Sequence, residues 1–311
     1  SEVLGFPYPW DKYSQVIVRD FVSGAMENTS AVIHGDFLNA TDRELLDGDN
    51  EAIIAHELFH HWFGDLVTCE SWSNLPLNES FATYGEYLWE EHKYGREAAD
   101  LHGMNSMAGY LAESQTKQED LIRFYYDDKE DMFDGHSYNK GGRVLHMLRY
   151  FLGDDAFFSG LKLYLEDNQF ESVEIHQLRL AMEEVSGKDL NWFFNQWFLG
   201  SGHPELTINY DVNDSLNTLT VLVEQTQESL FRLPLEVDIY TDSGVKRQRI
   251  DIRQRQQEFI LPYDGVFSFA NLDAEKVLLG TKKDNRPDAW WPLAYNSAKV
   301  YLDKSEALDY C

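Results

Sequence analysis

The sequence predicts an α+β protein, a mostly helical part followed by a small all-β module. Three observations carry this: helix-period runs before about residue 203, a switch to strict alternation after His203-Pro204, and turn residues spaced as in a small β domain. The chain has 311 residues, 43% of them hydrophobic and 14% aromatic, which is ample core for two domains and too apolar for disorder.

The elements follow in order. Gln15 to Phe21 alternates as a strand. Asp49-Asn50-Glu51 is a cap-like acidic start to a helix running to about Gly64. Pro76 suits the first turn of a second helix, reaching about His92. Further helices are expected over Arg96 to Ala112, Asn139 to Leu152, Asp155 to Asp167, Glu174 to Val185 and Leu190 to Leu199, with Gly187 and Gly200 as stops. Beyond Pro204, Leu206 to Tyr210, Leu219 to Val223 and Leu235 to Tyr240 read as strands. Asp242-Ser243-Gly244 reads as a hairpin turn into Val245 to Ile252. The expected division is 1–203 helical, 204–281 all-β, and 282–311 an irregular tail with Pro287, Trp290, Trp291 and Pro292, closing on a truncated helix start at Ser305 to Leu308. Both ends read as cut, so the expectation is a piece of a longer polypeptide.

Charge and cysteine content narrow the chemistry. Twenty-six Lys+Arg against 54 Asp+Glu give a formal charge of −28, which argues against nucleic acid and against an anionic membrane surface. No run approaches the ~18 apolar residues of a membrane-spanning helix. Cys69 and Cys311 are too few for a cysteine-based zinc site, so a metal would need His and carboxylate.

Such a set is present. His56-Glu57-Leu58-Phe59-His60 places two imidazoles one turn apart on one helix face, where both reach one ion. Glu57 stands beside that face and can move a proton without being a ligand. Glu79 in Leu77-Asn78-Glu79-Ser80-Phe81-Ala82, after eighteen intervening residues, supplies a third ligand from the next helix and leaves a position open, as a catalytic zinc site requires. His61 faces about 100° away from His60 and is expected to pack. Glu86, two turns beyond Glu79, is either a carboxylate behind a ligand imidazole or a solvated surface residue.

Gly24-Ala25-Met26-Glu27-Asn28, then His56 to Thr68 in the form HELFHHWFGDLVT, then Trp72 with Leu77 to Ala82, then Tyr138-Asn139-Lys140-Gly141, stand in the order found in one family. Together they resemble the aminopeptidase N family of zinc metallopeptidases, gluzincins in which HExxH is followed by a Glu. The resemblance implies a thermolysin-like catalytic domain followed by a β-sandwich domain, one zinc ion, and hydrolysis of the N-terminal residue of peptides by a zinc-activated water. It makes His56, His60 and Glu79 the zinc ligands, Glu57 the general base and Tyr138 the oxyanion donor. Glu27 would hold the free α-amino group, and Gly24, Ala25, Met26 and Asn28 belong to the substrate-lining stretch. It also implies further domains of the same polypeptide before and after this chain. Pro76 stands where that family usually has Trp, and Ser80 where it usually has Gly.

Three other readings fit these residues less well. Epoxide hydrolases of the leukotriene hydrolase kind carry a second Tyr five residues before the catalytic one, and here that position is Phe133. A metal-binding scaffold without turnover would be expected to lose Glu57 or Tyr138, and both are present. A thermolysin-like endopeptidase would need the space that Glu27 closes on the amino side.

Overall fold

The computed structural model describes residues 1–286. It divides into two compact units, the first Ser1–Ser201 and the second beginning at Gly202. The expectations for Pro287 to Pro292, for Ser305 to Leu308 and for Cys311 lie outside the described residues.

The first unit opens with three strands, β1 (Ser14–Val18), β2 (Ala25–Met26) and β3 (Ala31–Gly35), in the order β1-β3-β2. β1 runs parallel to β3 with Val16 opposite Ile33, and β2 runs antiparallel with Ala25 opposite His34. β1 stops short of the expected Phe21 because Asp20 takes a left-handed φ of 55° and turns the chain. Then come α1 (Glu51–His60), the short β4 (Thr68–Cys69), α2 (Pro76–Tyr94) and α3 (Arg96–Glu113). α1 ends four residues before Gly64, whose φ of 144° suits only glycine. Its start is held by Asp49, whose carboxylate accepts from the Glu51 N–H at 3.1 Å.

A π-helical turn, His136–Lys140, precedes α4 (Gly141–Leu152), where a plain helix from Asn139 was expected. α5 (Asp154–Asn168), β5 (Ser172–Val173), α6 (Ile175–Ser186) and α7 (Asn191–Trp197) complete the unit, β5 pairing in parallel with β4. The start of α6 is capped by a reciprocal pair between Glu174 and Gln177, and Gly187 closes the helix as expected, in the left-handed region at φ 64°. Among the described residues no helix is long and apolar enough to cross a membrane.

α1 and α2 approach closely, and the reason is one residue. A Cβ on Gly85 would stand 2.6 Å from Phe59 Cγ, so only glycine lets the two backbones come this near. Phe59 and Phe63 stack at 5.1 Å, and Phe63 stacks on Phe81 of α2 at 4.2 Å, filling the seam with aromatic surface. Gly85→Ala is therefore expected to push the helices apart and cost about 1–3 kcal/mol, read as a lowered thermal midpoint. An unchanged midpoint would show that Phe59 can swing aside.

The second unit is built from β6 (Glu205–Asn213), β7 (Thr218–Gln225), β8 (Leu233–Thr241), β9 (Gly244–Ile252), β10 (Gln256–Pro262), β11 (Phe267–Leu272) and β12 (Thr281–Asp284). They form two sheets, β10-β7-β6-β12 and β11-β8-β9. Leu219, Val221 and Val223 of β7 and Val237 and Ile239 of β8 are buried at alternate positions, as one wet and one dry face require. The Tyr210 hydroxyl accepts from the Leu272 N–H at 2.9 Å and ties one sheet to the other.

An irregular tail from residue 282 is corrected here: β12 runs through that point, parallel to β6, with Lys282 opposite Leu206. Thr281-Lys282-Lys283-Asp284 has no apolar alternation because it is an edge strand. Lys282 instead anchors it, donating to Asp273 at 2.8 Å.

Candidate metal centre

All the residues singled out from the sequence lie in the first unit. α1 presents His56 and His60 on one face, and their rings lie 4.9 Å apart. α2 brings Glu79 against both: Glu79 Oε2 is 3.2 Å from His56 Nε2 and 3.3 Å from His60 Nε2. All three side chains are buried, and one ligand atom from each lies within 4.8 Å of the others.

The far nitrogens are already engaged. His56 Nδ1 donates to Glu86 Oε1 at 2.7 Å and His60 Nδ1 to the Phe63 carbonyl at 3.0 Å. Both rings are thereby oriented with Nε2 directed at the shared point, the arrangement a cation needs. The donor set, two imidazoles and a carboxylate with a fourth direction open, suits zinc. Glu86 is thus bonded to the His56 imidazole rather than solvated, and it also reaches His102 Nε2 at 3.3 Å.

Glu79 sets the electrostatics among the three side chains. Burial alone would lower His56, yet hydrogen bonds from Glu79 and Glu86 hold it up at about 10. Burial likewise opposes the charge on Glu79, but the two imidazoles overcome it and hold the carboxyl far below its ordinary value. Glu57 behaves oppositely. Burial raises its carboxyl to about 7 against the pull of His60 and His56. Its Oε2 is buried without a hydrogen-bond partner among the described residues.

Glu27 joins this group from the strand side, with a carboxylate oxygen within 4.8 Å of ligand atoms of Glu57 and His60. It follows β2, in which Ala25 and Met26 pair with β3, so backbone pairing holds the Gly24 to Asn28 stretch in place. The Gly24 carbonyl accepts from Gly35 N at 2.9 Å, and the Asn28 carbonyl from Ala31 N at 2.8 Å. Met26 is exposed, as a lining residue of an open cleft would be.

Tyr138 arrives from the π-helical turn. Its ring stacks on His56 at 6.0 Å with 12° between planes, and its hydroxyl bonds Glu79. Burial, with Glu79, Glu27 and Glu57 adding to it, pushes the phenol well above its ordinary value, so it stays a proton-bearing donor. His61 is fully buried on the other side of α1 and bonds the Tyr8 hydroxyl at 2.7 Å, a packing residue as its helical angle predicts.

Both departures from the family pattern have a local role. Pro76 occupies the first turn of α2, where a missing N–H costs nothing. The Ser80 hydroxyl donates to the Ser137 carbonyl at 2.7 Å, tying α2 to the turn that carries Tyr138. A second acidic cluster, Glu113, Asp134 and His136, has ligand-like spacing, but Arg123 and Lys117 already neutralise Asp134. His102, Arg123 and Asp134 were not singled out from the sequence, because none belongs to a short motif and their partners lie far along the chain.

Comparison with known proteins agrees with this architecture. Residues 1–197 match the peptidase family M1 domain. Aminopeptidase N of Streptomyces lividans is 36% identical over 226 residues, covering 68% of this chain and 26% of that protein. Aminopeptidase M1-A of Oryza sativa subsp. japonica is 31% identical over 240 residues, covering 73% of this chain and 26% of its own length. Tricorn protease-interacting factor F2 of Thermoplasma volcanium is 36% identical over 218 residues, covering 68% of this chain and 28% of its own length. The chain thus spans about a quarter of the length of these curated relatives. Its fold is similar to that of Legionella pneumophila aminopeptidase A, solved with aspartic acid, with a TM-score of 0.76 at 21% identity over 93% of this chain and 34% of that one. With 197 of its 311 residues matched, the chain belongs to peptidase family M1.

Proposed function

We propose that this protein is a zinc-dependent aminopeptidase that removes the N-terminal residue from peptides. The observation that carries the reading is the convergence of His56, His60 and Glu79 on one point, with the unpaired carboxylate oxygen of Glu57 beside it. Relatives named aminopeptidases supply the substrate class. Held by His56, His60 and Glu79, zinc supplies Lewis acidity that polarises the scissile carbonyl and acidifies water.

This chain's own residues do the rest. Glu57 takes a proton from the attacking water and passes it to the departing amine nitrogen, a task a carboxylate beside the ligand set can perform. Tyr138 donates its hydroxyl to the carbonyl oxygen as negative charge builds there. Glu27 pairs with the protonated α-amine, so the substrate begins at a fixed place and only its first peptide bond reaches the reacting groups.

Two measurements test this together. Metal analysis of the purified protein is expected to find zinc. An aminoacyl anilide with a free amine is expected to be cleaved while its N-acetylated form is not, and equal cleavage of the two would refute the amine role of Glu27.

Tyr138→Phe removes one hydroxyl and little else. Turnover is expected to fall about a hundredfold with the Michaelis constant nearly unchanged, since the bond is made to charge that exists only in the transition state. A raised Michaelis constant with intact turnover would make Tyr138 a binding residue instead.

A further inference from the structure

Tyr138 owes its position to a buried carboxylate four residues earlier. Asp134 Oδ1 accepts from the backbone N–H of His136 at 3.1 Å and of Ser137 at 2.9 Å, and the Asp134 carbonyl accepts from Tyr138 N at 3.1 Å. These bonds satisfy the first donors of the π-helical turn, which would otherwise be orphaned in the interior. The carboxylate is itself gripped. Arg123, 7% exposed, donates Nη1 to Oδ2 at 2.7 Å and Nη2 to Oδ1 at 3.1 Å, a forked pair, and Lys117 Nζ reaches Oδ2 at 2.5 Å. The same Arg123 Nη2 donates to Ser137 Oγ at 3.0 Å.

The neighbouring residues are pinned as firmly. The fully buried His136 donates Nδ1–H to Glu113 at 2.6 Å and accepts the Glu119 N–H at Nε2, 3.2 Å away. Ser80 holds the Ser137 carbonyl from α2. Both residues before Tyr138 are therefore fixed by groups that are remote from it in sequence.

We propose that Asp134, clamped by Arg123, is a positioning residue that aims the Tyr138 hydroxyl at the substrate carbonyl. It acts only through Tyr138, and so rests on the oxyanion role given to that residue above. A displacement of the phenol by even a fraction of a hydrogen-bond length weakens a bond that counts only in the transition state, so the effect belongs in kcat.

Asp134→Asn tests this, because it keeps the size of the side chain and removes the charge that Arg123 grips. On the zinc-loaded protein, kcat for an aminoacyl anilide is expected to fall about tenfold with KM within about twofold and zinc content unchanged. In a Tyr138→Phe background the same substitution is expected to change kcat by less than about twofold, because no hydroxyl is left to aim. Amide hydrogen exchange on the metal-free protein is expected to quicken at His136, Ser137 and Tyr138 and to stay unchanged in α1. Arg123→Lys keeps the charge but loses the fork, and is expected to show the same pattern at smaller size. It also supplies the answer if the asparagine variant does not fold. Full kcat in these variants, or an equal fall in both backgrounds, overturns the positioning role. If Tyr138→Phe is impaired while Asp134→Asn is normal, the positioning role alone fails. If Tyr138→Phe is itself unimpaired, the oxyanion role fails and the positioning role with it.

Discussion

Glu57→Gln is expected to lower turnover by about three orders of magnitude while the protein keeps its full metal content. The substitution exchanges a carboxylate for an amide of the same shape, so packing beside α1 is preserved and only the capacity to take a proton is lost. Glu57 is not one of the three groups, His56, His60 and Glu79, that meet at one point, so the metal is expected to be retained. What distinguishes it is position: its carboxylate lies within 4.8 Å of a ligand atom of His60, and its Oε2 has no hydrogen-bond partner among the described residues. Near wild-type turnover in this variant would remove Glu57 from the mechanism. Loss of zinc would make it a ligand.

His60→Ala is expected to release the metal outright, leaving activity at background and zinc undetectable after dialysis. His60 is 1% exposed and its ring is held by a bond to the Phe63 carbonyl, so its truncation removes a fixed, buried donor. Glu79→Ala should behave alike, since it removes the one oxygen that both imidazoles face. The two classes of variant separate cleanly: one keeps zinc and loses chemistry, the other loses both. A His60→Ala protein that retained stoichiometric zinc would place the metal elsewhere.

Where the chemistry is carried by short motifs, the site could be read from residue order alone. Two imidazoles at i and i+4 share a helix face whatever the fold around them, and a helix-borne Glu shortly afterwards has few other places to go. The helical runs were legible for the same reason, period and cap together, although α1 ends earlier than its apolar pattern suggests because Gly64 turns the chain. What could not be read was anything that joins distant residues. The grip of Arg123 on Asp134, the link from Ser80 to Ser137 and the meeting of His102 with Glu86 leave no periodic trace. The outer strands of the second unit were missed on other grounds. β10 and β12 are edge strands largely exposed on both faces, so Gln256-Gln257-Glu258 and Lys282-Lys283 carry little of the alternation that marks a half-buried strand.

The closeness of α1 and α2 at Gly85 bears on which ion the protein accepts. Two of the three converging groups ride on one helix and the third on the other, and the seam between them is filled with stacked rings that leave no slack. Aromatic packing therefore helps to set the distance between the groups on the two helices. A small tetrahedral cation is expected to fit there without moving either helix, whereas one that prefers longer bonds and more ligands would have to part a close-packed interior.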